Sequence, residues 1–312
     1  MIEGQEDVSW EQWVALARAC EEHGVDALFR SDHYRGGLRA PGASLDAWTT
    51  LAGLAAITSR VRLGTMVSPV TFRYAAVLAK SVVTVDHISD GRAELGIGAG
   101  WNEREHAEHA IPFPPPRERV HLLGEQVETI VRHWTETADP KPVQQPHPPL
   151  IVGGTAKPGT LAPAVRYADE YNTFAATLDD LSARRARLDE ACERAGRDPR
   201  SIRFTLMETC VIGSDRNAAE DALRRVLELP GARGFAGGRV PDHWLVGTPQ
   251  QLAERLAGYA GVIDGVYLQH LLHEDLDAVA LIGDELAPAL ASARIDAAPW
   301  GERAAPYQNG TR

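Results

Sequence analysis

The fold of this chain is decided by residues 95–105, which read LGIGAGWNERE. A short apolar strand, predicted over residues 93–97, leads into glycines at three alternate positions, Gly96, Gly98 and Gly100. Glycines directly after a strand form either the phosphate-binding turn of a Rossmann fold or part of the rim of another α/β fold. The spacing of the glycines and the segment that follows them distinguish these two interpretations.

The Rossmann interpretation fits this stretch poorly. The fingerprint G-x-G-x-x-G needs its third glycine one position later than Gly100, where this chain has Trp101. No helix is predicted directly after the glycines, and the next strong helical pattern begins near Pro116. We therefore interpret the glycines as the C-terminal rim of a barrel strand, where a flat ligand can approach the backbone closely.

Strand-like and helix-like segments alternate along the whole chain. Capping boxes that begin at Ser9 and Thr248 mark two helix starts. The alternation, with a stub at residues 1–3, predicts eight β–α units and hence a (β/α)₈ TIM barrel. The seven clear strands are predicted at residues 25–29, 61–67, 93–97, 150–152, 170–174, 204–212 and 265–269.

The first of the eight strands is unusually short. A typical strand has about five or six residues, so we expect either a truncated first strand or a natural start upstream of Met1. We expect a single domain over residues 1–297 and a loose tail over 298–312. Insertions are predicted at residues 101–118, 136–148 and 231–246.

Composition limits the classes of partner. The chain of 312 residues has 32 Lys and Arg against 43 Asp and Glu, a net charge of −11, which disfavours nucleic acid. No basic leader or apolar run of membrane length is visible, so no membrane association is predicted. Cys20, Cys192 and Cys210 are far apart in apolar-periodic segments, as expected of reduced, buried thiols in a cytoplasmic protein.

Further motifs stand at the ends of the predicted strands. They are Ser31-Asp32-His33, Gly64-Thr65-Met66-Val67-Ser68-Pro69, Phe72-Arg73-Tyr74, Asp90-Gly91-Arg92, Gly153-Gly154 and Val246-Gly247-Thr248-Pro249. Together with residues 95–103, they resemble the luciferase-like monooxygenase superfamily, specifically its branch dependent on the deazaflavin F420. The resemblance covers about residues 3–290. It implies a barrel of the bacterial-luciferase type, hydride exchange between F420 and a small organic substrate, and a homodimer.

The resemblance also implies a cofactor site. In this family a non-proline cis peptide supports the back of the ring, and the matching bond here is Met66–Val67. Backbone N–H groups near a helix N-terminus suit a phosphate, and the matching turn here begins at Gly153. The cofactor-binding residues implied are Thr65, Met66, Val67, Gly98, Ala99, Gly100, Asn102, Gly153, Gly154 and Thr155.

His33 matches the family histidine that faces the reactive side of the deazaflavin. An imidazole that titrates near neutrality suits proton transfer, and we expect Asp32 to orient the ring or fix its tautomer. The residues expected to contact the substrate are Trp101, Gln269 and His270. Glu3 and Gln5 are expected to line the same mouth of the barrel if the first strand forms.

The chain departs from the sugar-phosphate dehydrogenase of this branch. That enzyme carries a tryptophan shortly after the histidine and a glutamate directly after the fourth-strand glycines. Here Tyr34-Arg35-Gly36-Gly37 and Trp101-Asn102 stand at those places, so a sugar phosphate is not assumed. An FMN-dependent monooxygenase that uses oxygen and a non-catalytic flavin- or F420-binding protein remain alternatives.

Histidine-rich segments do not predict a metal site. Residues 105–109 read EHAEH, which lacks the HExxH order, and we interpret them as a solvated charged face. His270 and His273 are three residues apart, but the sequence offers no third ligand. We therefore predict no metal centre.

Overall fold

A computed structural model describes residues 1–39, 42–237 and 239–292 of the chain. Within these residues nine strands form one sheet. The strands are β1 Ala27–Arg30, β2 Arg62–Thr65, β3 Ser68–Pro69, β4 Ala93–Gly98, β5 Leu150–Gly153, β6 Glu170–Phe174, β7 Arg203–Ile212, β8 Leu245–Gly247 and β9 Gly265–His270.

Helices connect the strands. The α-helices described are α1 Trp10–Glu22, α2 Ala47–Ile57, α3 Ala75–Ser89, α4 Glu103–Glu108, α5 Pro116–Arg132, α6 Pro158–Tyr167, α7 Leu178–Arg194, α8 Arg216–Leu227, α9 Ala232–Phe235, α10 Pro249–Ala257, α11 Leu276–Leu281 and α12 Ala287–Ser292. Both predicted capping boxes are present: Ser9 pairs with Gln12 before α1, and Thr248 with Gln251 before α10. Each box satisfies N–H groups that a helix start would otherwise leave unpaired.

The strands follow one another in parallel around a barrel. Their order is β1-β2-β4-β5-β6-β7, and β9 lies against β7. Ile2 stands in the remaining gap, because it forms parallel bridges with Arg30 of β1 and with His270 of β9. The predicted (β/α)₈ TIM barrel with a short first strand is confirmed, and its first strand is reduced to the single residue Ile2 with its two bridges.

Three local predictions need correction. The strand predicted over residues 61–67 ends at Thr65, and the chain resumes pairing as β3 after the Met66–Val67 bond, which is cis as expected. The three-residue strand β8 was not predicted, since it is too short to show an alternating pattern. The prediction that no helix follows the glycines is wrong, because α4 begins at Glu103.

The apolar core lies between the sheet and the surrounding helices. Trp13, Leu51, Leu123 and Leu188 each come from a different helix and are fully buried. The three cysteines are free and buried, as predicted, and burial raises the pKa of Cys210 to about 12. This layer supports the barrel and leaves the strand ends available for a site.

Several expectations fall outside what the structure tests. The predicted tail at residues 298–312 lies outside the described residues. The single domain over residues 1–297 stays a prediction. In the described part of the chain, no helix combines the length and the apolarity that crossing a bilayer requires.

Candidate active site

His33 stands just past the C-terminal end of β1, where Glu105 of α4 binds it. The His33 Nδ1 atom lies 2.7 Å from Glu105 Oε1, and the Tyr34 N–H donates to Glu105 Oε2 over 3.2 Å. The Glu105 side chain is only 1% exposed. The interpretation of residues 105–109 as a solvated charged face is therefore wrong for Glu105, the residue of this segment that binds His33.

A local signal for α4 does exist in the sequence. Asn102 is the N-cap of α4, and its side chain accepts from the Glu105 N–H, three residues further on. Asn, Asp, Ser or Thr followed three residues later by Glu is a helix-start pattern. This pattern indicates α4, but it does not indicate that Glu105 reaches His33. Asn102 was expected to contact the cofactor, and its side-chain oxygen serves the cap.

The electrostatic surroundings of His33 favour its charged form. Burial by itself would lower the pKa of His33, but the hydrogen bond to Glu105 and the negative charges of Glu105, Glu3 and Asp32 outweigh it. The net result is a pKa above the ordinary value for histidine. No described residue forms a hydrogen bond with the Nε2 atom, and the side chain is 17% exposed. One ring nitrogen is held, and the other is available.

Trp101 lies beside the histidine. Its ring meets that of His33 edge to face, with centroids 5.5 Å apart and an interplanar angle of 71°. The residue is 73% exposed, which is unusual for a tryptophan and typical of a side chain at a binding surface. The structure therefore brings the expected substrate contact Trp101 and the expected catalytic residue His33 together.

Asp32 is fully buried but does not orient the histidine. Its carboxylate accepts from Arg73 Nη1 over 2.5 Å and from Ser68 Oγ over 2.6 Å. Arg73 also binds Asp46 over 2.5 Å, so the guanidinium joins two loops. The expectation that Asp32 holds the ring of His33 is wrong, because Glu105 does so. Asp32 contributes only its charge to that ring.

The glycines of residues 95–105 are explained by their contacts with the chain around Val67. A Cβ on Gly98 would lie 2.7 Å from Val67 Cγ2, and one on Gly153 would lie 2.9 Å from Val67 Cγ1. A Cβ on Gly96 would lie 2.0 Å from the Thr65 carbonyl oxygen. These glycines therefore make room for the chain between β2 and β3, rather than for a ligand directly.

Other members of the expected cofactor set have internal roles as well. The Thr65 hydroxyl donates to the Gly96 carbonyl over 2.9 Å, and Thr65 is fully buried. Met66 is nearly buried and packs with Phe29 inside the barrel. Ala99 and Gly100 follow β4 and are partly exposed, and Gly100 has a φ of 78°, which favours glycine. Of these four residues, only Ala99 and Gly100 are partly exposed at the rim.

The turn after β5 uses part of its backbone internally. The Gly154 N–H donates to the Asn172 carbonyl over 2.9 Å, so it is not the free donor that was expected. A Cβ on Gly154 would lie 2.6 Å from the Tyr171 hydroxyl. Helix α6 follows Thr155 closely, and its N-cap residue Lys157 makes no side-chain cap hydrogen bond within the described chain. The uncapped start of α6 is the part of this turn that suits an anion.

Gln269 and His270 occupy opposite faces of β9. Gln269 accepts from the Thr209 hydroxyl over 2.7 Å and donates to Glu3 over 2.5 Å, at the mouth of the barrel. His270 packs outside the strand beside Leu271, with Nε2 3.1 Å from the Asp275 carbonyl oxygen. Successive side chains of a strand point to opposite faces, so the expectation that both face the substrate is wrong for His270.

Gln5 and Glu3 meet at the mouth as expected. The Gln5 side-chain amide donates to Glu3 Oε2 over 2.6 Å, and the Ser31 hydroxyl donates to the Gln5 side-chain oxygen Oε1. No group of three or more His, Cys, Asp or Glu residues is arranged to hold a metal ion in the described ranges. His106, the other buried member of residues 105–109, has both ring nitrogens engaged, with Asn102 and Thr71.

Comparison with known proteins gives a consistent picture. A family model described as luciferase-like monooxygenase matches residues 2–264. An uncharacterised protein of Mycobacterium tuberculosis is 32% identical over 196 residues, which cover 53% of this chain and 68% of that protein. An F420-dependent glucose-6-phosphate dehydrogenase of Kineococcus radiotolerans is 40% identical over 122 residues, which cover 39% of this chain and 36% of that enzyme.

Two solved structures show the same fold. An F420-dependent secondary alcohol dehydrogenase, in complex with an F420–acetone adduct, superposes with a TM-score of 0.75 at 17% identity, over 93% of this chain and 97% of its own. The oxygenating component of 3,6-diketocamphane monooxygenase from Pseudomonas putida, in complex with FMN, superposes with a TM-score of 0.68 at 19% identity, over 89% and 92%. At these identities the likeness concerns the fold alone.

Proposed function

Because the chain belongs to the luciferase-like monooxygenase family, we propose that it is an oxidoreductase that exchanges a hydride between F420 and a small organic substrate. The observation that carries the proposal is His33 at the barrel mouth, with Nδ1 held by Glu105 and Nε2 available. The similarity to an F420-dependent glucose-6-phosphate dehydrogenase supports F420 over FMN. The chain matches only about a third of that enzyme, so the cofactor remains part of the proposal.

The residues present fit a flat cofactor with an anionic tail. Gly98 and Gly153 carry no side chain, which lets Val67 lie against them at the cis bond that the family resemblance places behind the ring. Ala99 and Gly100 would hold the ring edge, and the uncapped start of α6, with Lys157, would hold a phosphate. Bound F420 would supply a two-electron hydride carrier, and bound FMN would supply oxygen chemistry.

The side chains of this protein would handle the proton. His33 Nε2 would accept a proton from the substrate or return one, while Glu105 stabilises the charged imidazolium that results. Trp101 would cover the histidine from one side and exclude water. Asp32 and Arg73 would keep the loops around His33 in place. Each of these roles depends on a hydrogen bond, a ring contact or an ion pair that the described residues make with one another.

The arginines near the mouth disfavour a phosphorylated substrate. Arg35 pairs with Glu108 over 2.5 Å, and Arg39 pairs with Glu274 over 3.0 Å. A phosphate monoester that bound Arg35 or Arg39 would have to displace one of these carboxylates. We therefore propose a substrate without a phosphate group, which is consistent with the departure of residues 34–37 from the sugar-phosphate dehydrogenase pattern.

Titration of the purified protein with F420 and, separately, with FMN tests this proposal by fluorescence. We expect F420 to bind at least about tenfold more tightly than FMN, a difference of about 1.4 kcal/mol. Tighter binding of FMN would reassign the protein to oxygen-dependent flavin chemistry. Binding of neither would contradict the proposal. Riboflavin, which lacks the phosphate, is the matched control for the role of α6.

The homodimer implied by the resemblance is also a proposal. Sedimentation of the purified protein would test it at several concentrations. We expect a mass close to twice the 33.9 kDa of one chain. A mass of one chain throughout would contradict the dimer without affecting the cofactor proposal.

A further inference from the structure

We propose that Glu105 is a positioning residue for His33, which fixes the orientation and the tautomer of the ring and leaves Nε2 as the atom that exchanges a proton with the substrate. The inference rests on the proposed function for the identity of the reaction. The positioning role is thereby assigned to an acid that is 72 residues away along the chain, and not to Asp32, the acid next to His33 in sequence.

The geometry supports one tautomer. A carboxylate only accepts hydrogen bonds, so the 2.7 Å contact with Glu105 requires a proton on His33 Nδ1. The neutral ring then carries its lone pair on Nε2, where it can act as a base. The second oxygen of Glu105 accepts from the Tyr34 N–H, the residue next to His33, so the carboxylate binds both the ring and the backbone beside it.

Helix α4 is anchored firmly enough to act as a support. Asn102 caps its start, and His106 Nδ1 lies 2.6 Å from the Asn102 carbonyl oxygen. His106 Nε2 lies 2.6 Å from the Thr71 hydroxyl, and its ring packs against Phe113 with centroids 4.5 Å apart. His106 is fully buried. Glu105 therefore projects from a helix that these contacts hold in place, although the helix is short.

Other charges near His33 are satisfied elsewhere. Asp32 is paired with Arg73, and Glu3 accepts from the side-chain amides of Gln5 and Gln269. Glu105 is the charged group in hydrogen-bond contact with the His33 ring, and its hydrogen bond and charge, together with the charges of Glu3 and Asp32, raise the pKa of His33 against the effect of burial. Neutralising Glu105 should consequently affect His33 more than any change at Glu3 or Asp32 that leaves their partners in place.

The test is Glu105→Gln in the full chain, with the titration of His33 followed by NMR and assigned by comparison with His33→Asn. Glutamine can still accept from Nδ1 but carries no charge, so we expect the pKa of His33 to fall by about 1 unit or more. Glu108→Gln, on the same helix, 40% exposed and paired with Arg35 and Arg104, is the matched control and should leave the titration unchanged.

A second variant and a second readout keep the test decisive. Glu105→Asp retains the charge on a shorter side chain and should restore most of the pKa, and it replaces the glutamine variant if that does not fold. In the active enzyme, the limb of the kcat/KM pH profile that reports His33 should move with the NMR value. An unchanged pKa in Glu105→Gln would overturn the inference.

The two proposals fail in different ways. The NMR titration needs no cofactor, so a lowered pKa with no binding of F420 or FMN would uphold the Glu105–His33 pair and reject the proposed function. Cofactor binding with an unchanged pKa in Glu105→Gln would do the opposite.

Discussion

The two ends of the barrel use charged residues in contrasting ways. At the N-terminal edge, Glu170 and Arg203 are the first residues of β6 and β7 and pair over 3.1 Å inside the barrel. Arg62 and Glu94, near the starts of β2 and β4, form a second pair there. At the C-terminal edge, the His33 ring pairs with Glu105 through one nitrogen only.

The difference lies in what each set leaves available. At the N-terminal edge, each charged side chain is matched by another, and the Thr205 hydroxyl also donates to Glu170 over 2.6 Å. Such an arrangement contributes to the closed base of the barrel. At the C-terminal edge, the acids Glu105 and Asp32 are satisfied, while Nε2 of His33 faces away from its partner. Charge alone does not indicate a site in this fold: among the described residues, Glu94 Oε2 at the N-terminal edge also lacks a partner but is buried, whereas His33, 17% exposed, keeps an unpaired ring nitrogen at the mouth.

The largest expected effect is loss of turnover in His33→Ala. Removal of a general acid or base typically costs about 10²–10⁴-fold in rate, and cofactor affinity should stay within about threefold because the proposed ring and phosphate contacts come from other residues. Steady-state kinetics and fluorescence titration would measure both. His121→Ala, at an exposed histidine on α5, is the control and should behave like wild type. Undiminished turnover would remove His33 from the mechanism.

At the opposite edge, Arg203→Met should reduce stability. It leaves the buried Glu170 carboxylate without its cation, and breaking a buried pair in this way typically costs about 3–5 kcal/mol of unfolding free energy. Denaturant unfolding would measure the loss. Arg216→Met removes an exposed arginine paired with Glu220 and should cost at most about 1 kcal/mol. Equal losses in the two variants would contradict the contrast between the edges.

His270 predicts a pH dependence of stability that His33 does not share. Burial, in the first place, lowers the pKa of His270 to about 4, so the folded state favours the neutral ring. The stabilisation of the folded state that comes from the neutral His270 ring is complete above pH 6.5. It is lost as the pH falls from 6.5 towards 4, where the free energy of unfolding should fall by about 1.4 kcal/mol per pH unit. Unfolding at several pH values, compared with His270→Gln, would measure it. An unchanged slope in the variant would show that other groups cause the dependence.

The smallest effect concerns the glycines. Gly98→Ala places a Cβ 2.7 Å from Val67 and should cost about 1–3 kcal/mol of unfolding free energy. Combining it with Val67→Ala should recover part of that loss, since the two side chains compete for one space. Gly124→Ala, in the middle of α5 with open space around it, should instead stabilise by about 0.5–1 kcal/mol. Thermal or denaturant unfolding of these three variants would separate packing from helix propensity.

Local patterns account for much of the fold. The alternation of apolar segments predicted seven strands within a few residues of β1, β2, β4, β5, β6, β7 and β9. The capping boxes at Ser9 and Thr248 predicted two helix starts, because a cap is formed by residues three apart. The cis bond at Met66–Val67 and the place of His33 followed from the family resemblance rather than from periodicity.

What the sequence determined by itself is seven of the nine described strands, most of the helices and the presence of a histidine at a strand end, since each depends on neighbours within a few positions. The tertiary structure decided that Glu105 binds His33, that Val67 is the reason for Gly98 and Gly153, and that His270 faces away from the mouth. Glu105 and His33 are 72 residues apart, and no local periodicity encodes a contact at that separation. It forms because parallel strands bring their C-terminal loops to one edge of the barrel, where residues distant in sequence meet.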